Sequence, residues 1–320
     1  MPIAEAASAA LKLAYSDSVD GSVARTFSII TTCKGRLEHL KASLPKMIAQ
    51  GASEVIVVDY SCPQGTGEFV TTNFPSARLV SVPGEEHFSN WKARNAGAAA
   101  ATSDVLVFAD ADTIVADGAI DWLSNNLPEG SFGFFNSQTS RSFNQVGLRL
   151  ASNQLKGFHV VPTPVFRRLG GYDEVLEGYA AGADTDLEER MVMVRCRRFP
   201  LDASIIESII QHDTPSRTQH HAYPVKTSYA AGLLYRQAKR ALLAIRGKVE
   251  LPLQVRQELY AAAKKAAGAL GPDRSRIKMN VTVGQQPILM PRQLGYERGA
   301  QTLTLQVELS MQDLLDKIPD

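Results

Sequence analysis

Short apolar runs alternate with helical stretches along the first third of the chain. The β-branched runs are FSIITT (27–32), EVIVVD (54–59), ARLVSV (77–82) and DVLVFADAD (104–112). The stretch LEHLKASLPKMIAQG follows the first run, and WKARNAGAAAA precedes the last; both are typical of helices. Fully apolar strands joined by helices indicate a parallel sheet, because the helices cover both faces of such strands. We therefore predict an alternating α/β domain with an open parallel sheet.

The pattern changes on both sides of this domain. Before it, Ala- and Ser-rich residues predict one short helix over Ala4 to Tyr15. After about residue 223 the chain is basic and rich in Ala and Leu, which predicts helix up to Leu270. Two stretches with period-2 alternation, 277–283 and 303–309, predict half-buried strands. The expected regions are an N-terminal extension (1–25), an α/β domain (26–222) and a helical and short β extension (223–320).

Acidic and basic residues nearly balance. The 320 residues include 34 Lys and Arg against 33 Asp and Glu, a formal net charge of +1. This balance excludes a generic nucleic-acid-binding protein, whose phosphate contacts require a clear basic surplus. No uncharged apolar run approaches the roughly 18 to 20 residues that cross a bilayer, and no basic segment leads into an apolar block at the start. We therefore expect a cytoplasmic protein with no nucleic-acid partner.

The cysteines predict no special chemistry. Cys33, Cys62 and Cys196 are widely separated in the sequence. An odd number without a Cys-x-x-Cys spacing makes neither a disulfide framework nor a zinc site. We expect buried or inert thiols in a reducing compartment.

Polar side chains stand at the ends of the predicted strands. Thr31 and Thr32 end the first strand, Asp59 ends the second, and Asp110 and Asp112 end the fourth. In open α/β sheets, ligands bind in the crevice at the carboxyl ends of the strands. These residues are therefore the first candidates for a binding site.

The Asp110-Ala111-Asp112 triplet points to a divalent cation. Two carboxylates one residue apart on an extended chain lie on the same side and repel each other unless a cation sits between them. Oxygen ligands of this kind suit Mg²⁺ or Mn²⁺, which keep open positions for substrate phosphates. A structural alternative is that Asp112 caps a following helix. The triplet alone leaves both interpretations open.

Further residues fit a site for a metal and a diphosphate. Asp184 and Asp186 lie in a Gly- and Ala-rich segment before a helical pattern, so one can cap the helix and the other face the crevice. His212 follows an apolar strand and is the histidine best placed to bind a metal, although a single histidine more often has a structural role. Arg94 lies in the helix before the fourth strand, where a basic side chain can hold a diphosphate.

These residues together resemble the nucleotide-sugar-dependent glycosyltransferases of the GT-A fold, most closely the inverting family 2 enzymes. The resemblance covers residues 26–217, and its second half is similar to the galactosyltransferase and chondroitin-polymerase type. Five elements occur in the expected order: FSIITTCKGR, VIVVDYSCPQGT, FSNWKARNAGAAAATSDVLVFADADT, GGYDEVLEGYAAGADTDLEERM and SIIQHDTPSR. The resemblance implies a Rossmann-like open mixed sheet. It also implies metal-dependent, inverting transfer of a hexose or N-acetylhexosamine from a UDP-sugar to the hydroxyl of a glycan, a lipid-linked acceptor or a small molecule.

The resemblance also implies a role for each residue of the metal and nucleotide site. Asp112 is the implied main ligand of Mn²⁺ or Mg²⁺, and His212 completes the coordination. Asp110 is implied to hold the ribose or the water shell of the metal, and Asp59 to contact the uracil. The implied nucleotide site further includes Thr31 and Arg94.

In the sugar and acceptor region, Asp184 corresponds to the general base that takes the proton of the acceptor hydroxyl. Asp186 and Tyr179 correspond to contacts with the acceptor or the sugar. A single carboxylate base with direct displacement inverts the anomeric centre, so no covalent intermediate is expected. Two positions depart from the family pattern: Tyr60 replaces the second acid of the DDGS motif, and Ala183 stands where a Glu commonly precedes the base. The second departure leaves the donor sugar open, and the acceptor is open as well.

One stretch of the C-terminal region is strongly basic. Between Thr214 and Val249 there is no acidic residue, whereas seven residues are basic. On a helix, Arg236, Lys239, Arg240 and Arg246 fall on one face, opposite an apolar face. Two roles stay open for 229–248. It packs on the catalytic domain with a solvated basic face, or it meets an acidic acceptor or an anionic membrane surface, which would place the protein at the inner face of the membrane.

Other functions fit the sequence less well. A sugar-phosphate nucleotidyltransferase needs a Gly-rich phosphate loop after the first strand, and TTCKGRL is not one. A dinucleotide-dependent oxidoreductase needs G-x-G-x-x-G after an early strand, and none occurs. The alternative is a nucleotide-sugar-binding protein that has lost catalysis. Ala183 favours this alternative, whereas the joint presence of Asp112, Asp184 and His212 disfavours it.

Overall fold

The computed structural model describes residues 25–135, 157–211, 218–269, 276–292 and 295–310. The short helix predicted over Ala4 to Tyr15 lies outside these ranges. The described residues form two compact units. The first unit draws on Met1–Gly84, Ala93–Gly171 and Glu188–Gln211, and the second on Glu85–Lys92, Tyr172–Leu187 and His212–Asp320. The second unit therefore includes two segments that the sequence placed inside the 26–222 domain.

A mixed sheet forms the core of the first unit. The strands of this unit are β1 Phe27–Cys33, β2 Glu54–Asp59, β3 Arg78–Ser81, β4 Val105–Phe108, β5 Thr113–Val115, β6 Ser131–Phe134, β7 His159–Pro162, β8 Arg197–Pro200 and β9 Ile206–Ile209. Seven of them make one sheet in the order β3-β2-β1-β4-β7-β6-β8. β1 to β4 run parallel, whereas β7 is antiparallel to its neighbours β4 and β6. The predicted open mixed sheet is confirmed.

Helices cover this sheet. The helices that begin before residue 200 are α1 Leu37–Ile48, α2 Thr66–Asn73, α3 Asn90–Ala100, α4 Ala119–Asn126, α5 Thr163–Arg168 and α6 Ala183–Met193. α1 buries Leu40, Leu44 and Met47, which recur at helical spacing and pack in one apolar cluster with β1 and β2. All seven residues of β1 are buried, which explains why its sequence is apolar without alternation. The parallel half of the sheet thus follows directly from the sequence pattern.

The strand that contains the acidic triplet ends earlier than expected. The run DVLVFADAD predicts a strand to residue 112, but β4 ends at Phe108. Beyond it, the N–H of Thr113 donates to the carbonyl of Asp110 at 2.9 Å, which turns the chain away from the sheet. The next residues form β5, which pairs antiparallel with β9 in a separate two-stranded sheet. The triplet therefore lies in a turn just after the strand.

The second unit contains two helices and a long β-hairpin. Their bounds are α7 Val225–Arg246, α8 Leu253–Gly268, β10 Arg276–Arg292 and β11 Gly295–Ser310. The helical region and both strands predicted from the sequence are present. The strands are longer than predicted and pair antiparallel over almost their full length. Period-2 alternation marks only the outer part of each strand, so the sequence pattern revealed only that part.

Candidate active site

The loops after β1 and β2 are tied to each other at the carboxyl edge of the sheet. The Nζ of Lys34 donates to the carbonyl oxygens of Tyr60 at 3.4 Å and Ser61 at 3.1 Å. The N–H of Tyr60 donates to the carbonyl of Cys33 at 3.0 Å. Lys34 is buried, so this link is shielded from water. Sequence reasoning did not identify Lys34, whose position directly after β1 was its only signal.

Asp59 ends β2 as predicted, and its carboxylate organises the loop that follows. One oxygen accepts a hydrogen bond from the N–H of Cys62 at 2.8 Å, and the other accepts one from the N–H of Gly67 at 2.9 Å. Gly67 lies in the first turn of α2, where N–H groups have no partner within the helix. Each carboxylate oxygen has a further lone pair, so a contact between Asp59 and a nucleotide base stays compatible with this arrangement.

Two residues predicted to bind the nucleotide are buried instead. Thr31 lies inside β1, two residues before its end, and its hydroxyl has neither exposed surface nor a hydrogen-bond partner in the described part of the chain. Arg94 of α3 is 2% exposed and donates to the carboxylate of Asp110 at 2.8 Å and to the carbonyl of Gly157. As placed, neither side chain is accessible to a ligand. Arg94 instead orients Asp110.

Each carboxylate of the triplet has its own arginine. Arg94 pairs with Asp110 at 2.8 Å, and Arg36 pairs with Asp112 at 3.3 Å. The repulsion between the two aspartates, which suggested a cation from the sequence, is therefore already balanced within the protein. Arg36 follows β1, which lies beside β4 in the sheet, so the topology brings it to Asp112. The sequence gives no local sign of this pairing.

Asp112 is held by its backbone and keeps part of its side chain exposed. The N–H of Ile210 donates to its carbonyl at 2.8 Å, and the hydroxyl of Ser43 donates to the carbonyl of Ala111 at 2.7 Å. The Asp112 side chain is 17% exposed. This accessible, oriented carboxylate provides the hard oxygen donor that Mn²⁺ or Mg²⁺ prefers.

The rest of the predicted metal site is not in view. His212 lies outside the described residues. Within them, no three His, Cys, Asp or Glu side chains approach closely enough to hold a metal ion. Asp112 thus fits the predicted cation, and the complete ligand set stays a prediction.

In the second unit, Asp184 is an unpaired carboxylate at a helix start. α6 begins at Ala183, so Asp184 and Asp186 both lie in its first turn and not in the loop before it. Asp184 is half-buried and makes no hydrogen bond or ion pair with any described residue. The N–H groups of a first helical turn favour negative charge. Asp184 therefore has the exposure, the charge and the open lone pairs that a general base needs.

The loop that leads into α6 has an unusual backbone. Gly178, Ala180 and Gly182 all have a positive φ, at 84°, 63° and 83°. The two glycines adopt this conformation readily, whereas an alanine there is strained. Such strain persists only where the surrounding structure imposes it.

One face of α7 imposes that conformation. A Cβ on Gly232 would lie 2.0 Å from the carbonyl oxygen of Ala181, so the helix and the loop are in direct backbone contact and only glycine fits. Ser228 and Arg236, one turn on either side of Gly232, lie against the two glycines that flank Ala181 in the loop. The helix thus supports the segment directly before Asp184.

The same helix anchors α6 through buried charges. Lys239 is 1% exposed, and its Nζ lies 2.6 Å from Asp173, 3.1 Å from Asp186 and 3.1 Å from Glu250. Arg256 pairs with Asp173 at 2.7 Å, and the hydroxyl of Tyr235 donates to the same carboxylate. We call this group the Asp173 cluster; its members are Asp173, Asp186, Tyr235, Lys239, Glu250 and Arg256.

The Asp173 cluster changes two expectations. Asp186, predicted to contact sugar or acceptor, is 3% exposed and paired with Lys239, so it is placed to hold α6 and not to reach a substrate. Lys239, expected on a solvated basic face, is buried because acidic partners from other segments surround it. Burial by itself would raise the pKa of Asp173, but the Lys239 ammonium, the Tyr235 hydroxyl and Arg256 lower that pKa to about 2.

Tyr179 lies within the strained loop and is half-buried. Its ring centroid is 5.8 Å from that of His221, and the His221 ring is in turn 5.8 Å from the Phe88 ring. An aromatic face in such a position can pack on a sugar ring, but no contact of this kind is visible. The predicted role of Tyr179 stays a prediction.

A comparison with protein families matches residues 28–149 to the family described as Glycosyl transferase family 2. The match begins in β1 and includes the Asp110-Ala111-Asp112 triplet, Asp59 and Arg94. It ends before Asp184, so the galactosyltransferase- and chondroitin-polymerase-like second half stays a prediction. Among curated proteins, none matches the chain significantly.

Solved structures with a related fold include two glycosyltransferases. One is the mannosyltransferase PcManGT from Pyrobaculum calidifontis in complex with GDP-Man and Mn²⁺, with 18% identity, a TM-score of 0.49 and coverage of 84% of this chain and 82% of that chain. Another is glucosyl-3-phosphoglycerate synthase from Mycobacterium tuberculosis in complex with Mn²⁺, UDP-glucose and phosphoglyceric acid, with 15% identity, a TM-score of 0.42 and coverage of 65% and 79%.

Proposed function

We propose that this protein, whose residues 28–149 form a glycosyltransferase family 2 domain, is an inverting enzyme that moves a hexose or N-acetylhexosamine from a UDP-sugar to an acceptor hydroxyl. One observation supports the proposal most strongly. Asp184 offers an accessible, unpaired carboxylate at the start of α6, on a backbone that α7 supports. A protein that only binds nucleotide sugars has no need of such a group.

Asp184 supplies the base in this mechanism. The acceptor hydroxyl has a very high pKa, so its proton must leave as its oxygen attacks the anomeric carbon. Asp184 takes that proton, a step that typically contributes about 10²- to 10⁴-fold to the rate. The nucleoside diphosphate leaves from the opposite side. Because a single displacement occurs, the configuration at the anomeric carbon is inverted.

Asp112 would hold Mn²⁺ or Mg²⁺, with Asp110 and His212 as the other predicted contributors. A divalent cation neutralises the negative charge that develops on a diphosphate leaving group. Arg94 holds Asp110 in place, and Arg36 holds Asp112. In this arrangement Arg36 is also the basic residue best placed to balance the charge of a diphosphate next to Asp112.

The Asp112→Ala variant is expected to lower the metal-dependent affinity for UDP by at least about 10-fold, the smaller loss typical of residues that only support a metal ligand. Isothermal titration calorimetry with UDP and Mn²⁺ measures this affinity. Asp117→Ala is the matched control, because Asp117 lies in the same region but its side chain is 80% exposed. Unchanged affinity in the Asp112 variant would remove Asp112 from the metal site.

Release of UDP from a UDP-sugar on addition of acceptor separates an enzyme from a binding protein. A screen of Gal, GalNAc, Glc and GlcNAc donors with Mn²⁺ serves this purpose, first through slow hydrolysis and then with acceptors. GDP-Man belongs in the same screen, since PcManGT binds it. Binding of several donors without any turnover would favour the catalytically impaired alternative that Ala183 suggests.

A peripheral membrane contact through residues 229–248 stays a proposal of narrower scope. Lys239 is buried, so the exposed basic side chains at this end of α7 are Arg240, Arg246 and Lys248, next to Ile245, which is 64% exposed. No helix in the described ranges is long and apolar enough to span a bilayer. Co-sedimentation with anionic vesicles at low salt tests the contact, and absence of binding would leave α7 with its supporting role alone.

A further inference from the structure

Cys33 and Cys62, distant in the sequence, meet at the carboxyl edge of the sheet. Cys33 is the last residue of β1 and pairs in register with Asp59, the last residue of β2. Cys62 follows Asp59 by three residues, and its N–H is held by the Asp59 carboxylate at 2.8 Å. The two thiols are hydrogen-bonded to each other. Sequence spacing predicted inert thiols because it could not show this pairing.

Polar donors surround the pair. The N–H of Gly35 donates to the sulfur of Cys62 at 3.2 Å, and the hydroxyl of Thr66 donates to the sulfur of Cys33 at 3.1 Å. Thr66 opens α2, so both sulfurs also lie close to a helix N-terminus, a setting that favours thiolate.

The two sulfurs are not equivalent. The hydrogen bond from Cys33 and those from Thr66, Gln64 and Gly35 lower the pKa of Cys62 to about 5, although burial opposes the shift. The shared hydrogen bond with Cys62, together with burial, raises the pKa of Cys33. Cys62 is half-buried and Cys33 has no exposed surface. An incoming reagent therefore meets Cys62 first, as a thiolate, with Cys33 as a neutral thiol behind it.

We propose that Cys62 and Cys33 form a redox-reactive site that takes small-molecule disulfides. The Cys62 thiolate attacks one sulfur of the reagent disulfide, forms a mixed disulfide and expels the other half as a thiolate. The Cys33 sulfur then attacks the Cys62 sulfur, the Cys33 proton passes to the departing thiolate, and a Cys33–Cys62 disulfide forms. The two cysteines together lose two electrons and the reagent gains them, so no further oxidant is needed.

Oxidation changes the loop that Asp59 organises. A disulfide replaces the contact between the two sulfurs by a covalent bond and draws Cys62 towards β1, which pulls its N–H away from the Asp59 carboxylate. This consequence rests on the proposed function, because it matters only if Asp59 contacts the nucleotide. The oxidised form should then bind UDP more weakly than the reduced form, and a reductant should restore the affinity.

Peptide mapping of the folded protein after treatment with oxidised glutathione tests the thiol chemistry directly. In the wild type we expect a Cys33–Cys62 disulfide. Cys33→Ser should instead trap glutathione on Cys62, and Cys62→Ser should show neither product. If a serine variant fails to fold, the wild-type map still decides. Separate glutathione adducts on Cys33 and Cys62, or an unmodified Cys62, would overturn the proposal.

Cys196 provides the internal control. It is buried, which raises its pKa to about 11, and it donates to the carbonyl of Gly130 at 3.1 Å. The larger thiolate fraction of Cys62, offset by the lower nucleophilicity of a weakly basic thiolate, predicts reaction roughly 20-fold faster at Cys62 than at Cys196 near pH 7. Equal rates at both sites would contradict the proposal.

UDP calorimetry on the reduced and oxidised protein separates the two levels of inference. Weaker binding in the oxidised form supports the link to Asp59, and equal binding in both forms overturns that link. If the reduced protein with Mn²⁺ does not bind UDP at all, the proposed function fails while the peptide map still decides the thiol site.

Discussion

Turnover of the Asp184→Asn variant is expected to fall by about 10²- to 10⁴-fold, the range that a general base typically contributes. The amide keeps the shape of the side chain but cannot take a proton from the acceptor. Because Asp184 makes no contact with any described residue, its replacement should leave the folded structure unchanged. Steady-state kinetics with the best donor and acceptor measure the loss, and calorimetry should show affinity for UDP and Mn²⁺ within a factor of about two, since no transition-state interaction enters it.

The control for this variant removes a charge from the same helix. Glu189→Gln lies further along α6 and outside its first turn. We expect wild-type turnover for this control within a factor of about three, a difference small enough to leave transition-state stabilisation intact. If Asp184→Asn kept wild-type turnover, the base would have to be another residue. If it lost UDP affinity to the same extent as turnover, Asp184 would be a binding residue instead.

The Lys239→Met variant is expected to lose about 3 to 5 kcal/mol of unfolding free energy, the usual cost of removing one partner from a buried ion pair. Methionine keeps the length of the side chain but leaves Asp173, Asp186 and Glu250 with Arg256 as their remaining partner in the cluster. Urea and thermal unfolding followed by circular dichroism measure the loss. Arg240→Met on the same helix is exposed and should change stability by no more than about 0.5 kcal/mol.

Acid should reduce the difference between the wild type and the Lys239 variant. In the wild type the folded-state pKa of Asp173 is about 2, below its ordinary value of about 3.9, so its stabilising contribution is present above that value and is lost as the pH falls towards 2. Without the ammonium, the buried carboxylates favour protonation, and the variant gains stability relative to the wild type as the pH falls. A difference that stayed constant between pH 6 and 3 would mean that Lys239 contributes through packing and not through charge.

Local patterns were enough to predict the parallel half of the sheet. β1 and β2 are apolar on both faces, so periodicity, strand length and the intervening helix all indicate the same structure. The pattern misled at Asp110 and Asp112, where alternating alanine and aspartate resembles a continuing strand. The turn depends on the hydrogen bond from Thr113 to Asp110 and on the pairing of β5 with β9, and the second of these comes from a segment far along the chain.

The candidate site was predicted as a set of residue types but not as a set of contacts. Asp59, Asp112 and Asp184 are accessible or half-accessible carboxylates at the ends or starts of elements, as expected. Their neighbours could not be predicted, because the ion pairs join residues far apart: Arg36 and Asp112 are separated by 76 positions, and Lys239 and Asp173 by 66. A helical wheel shows that Lys239 is basic and says nothing about the acids that bury it.

The contact between Gly232 and Ala181 has a consequence for how much of the chain the proposed reaction requires. The family match stops at residue 149, which suggests a catalytic module that ends well before α7. However, a protein shortened at residue 222 would lose the helix that holds the loop before Asp184, and it would leave Asp173 and Asp186 without Lys239. The heritable unit of this activity is therefore longer than the segment that defines its family. Variation in α7 and α8 becomes a route by which related chains can alter the base without changing any residue of the recognised motif.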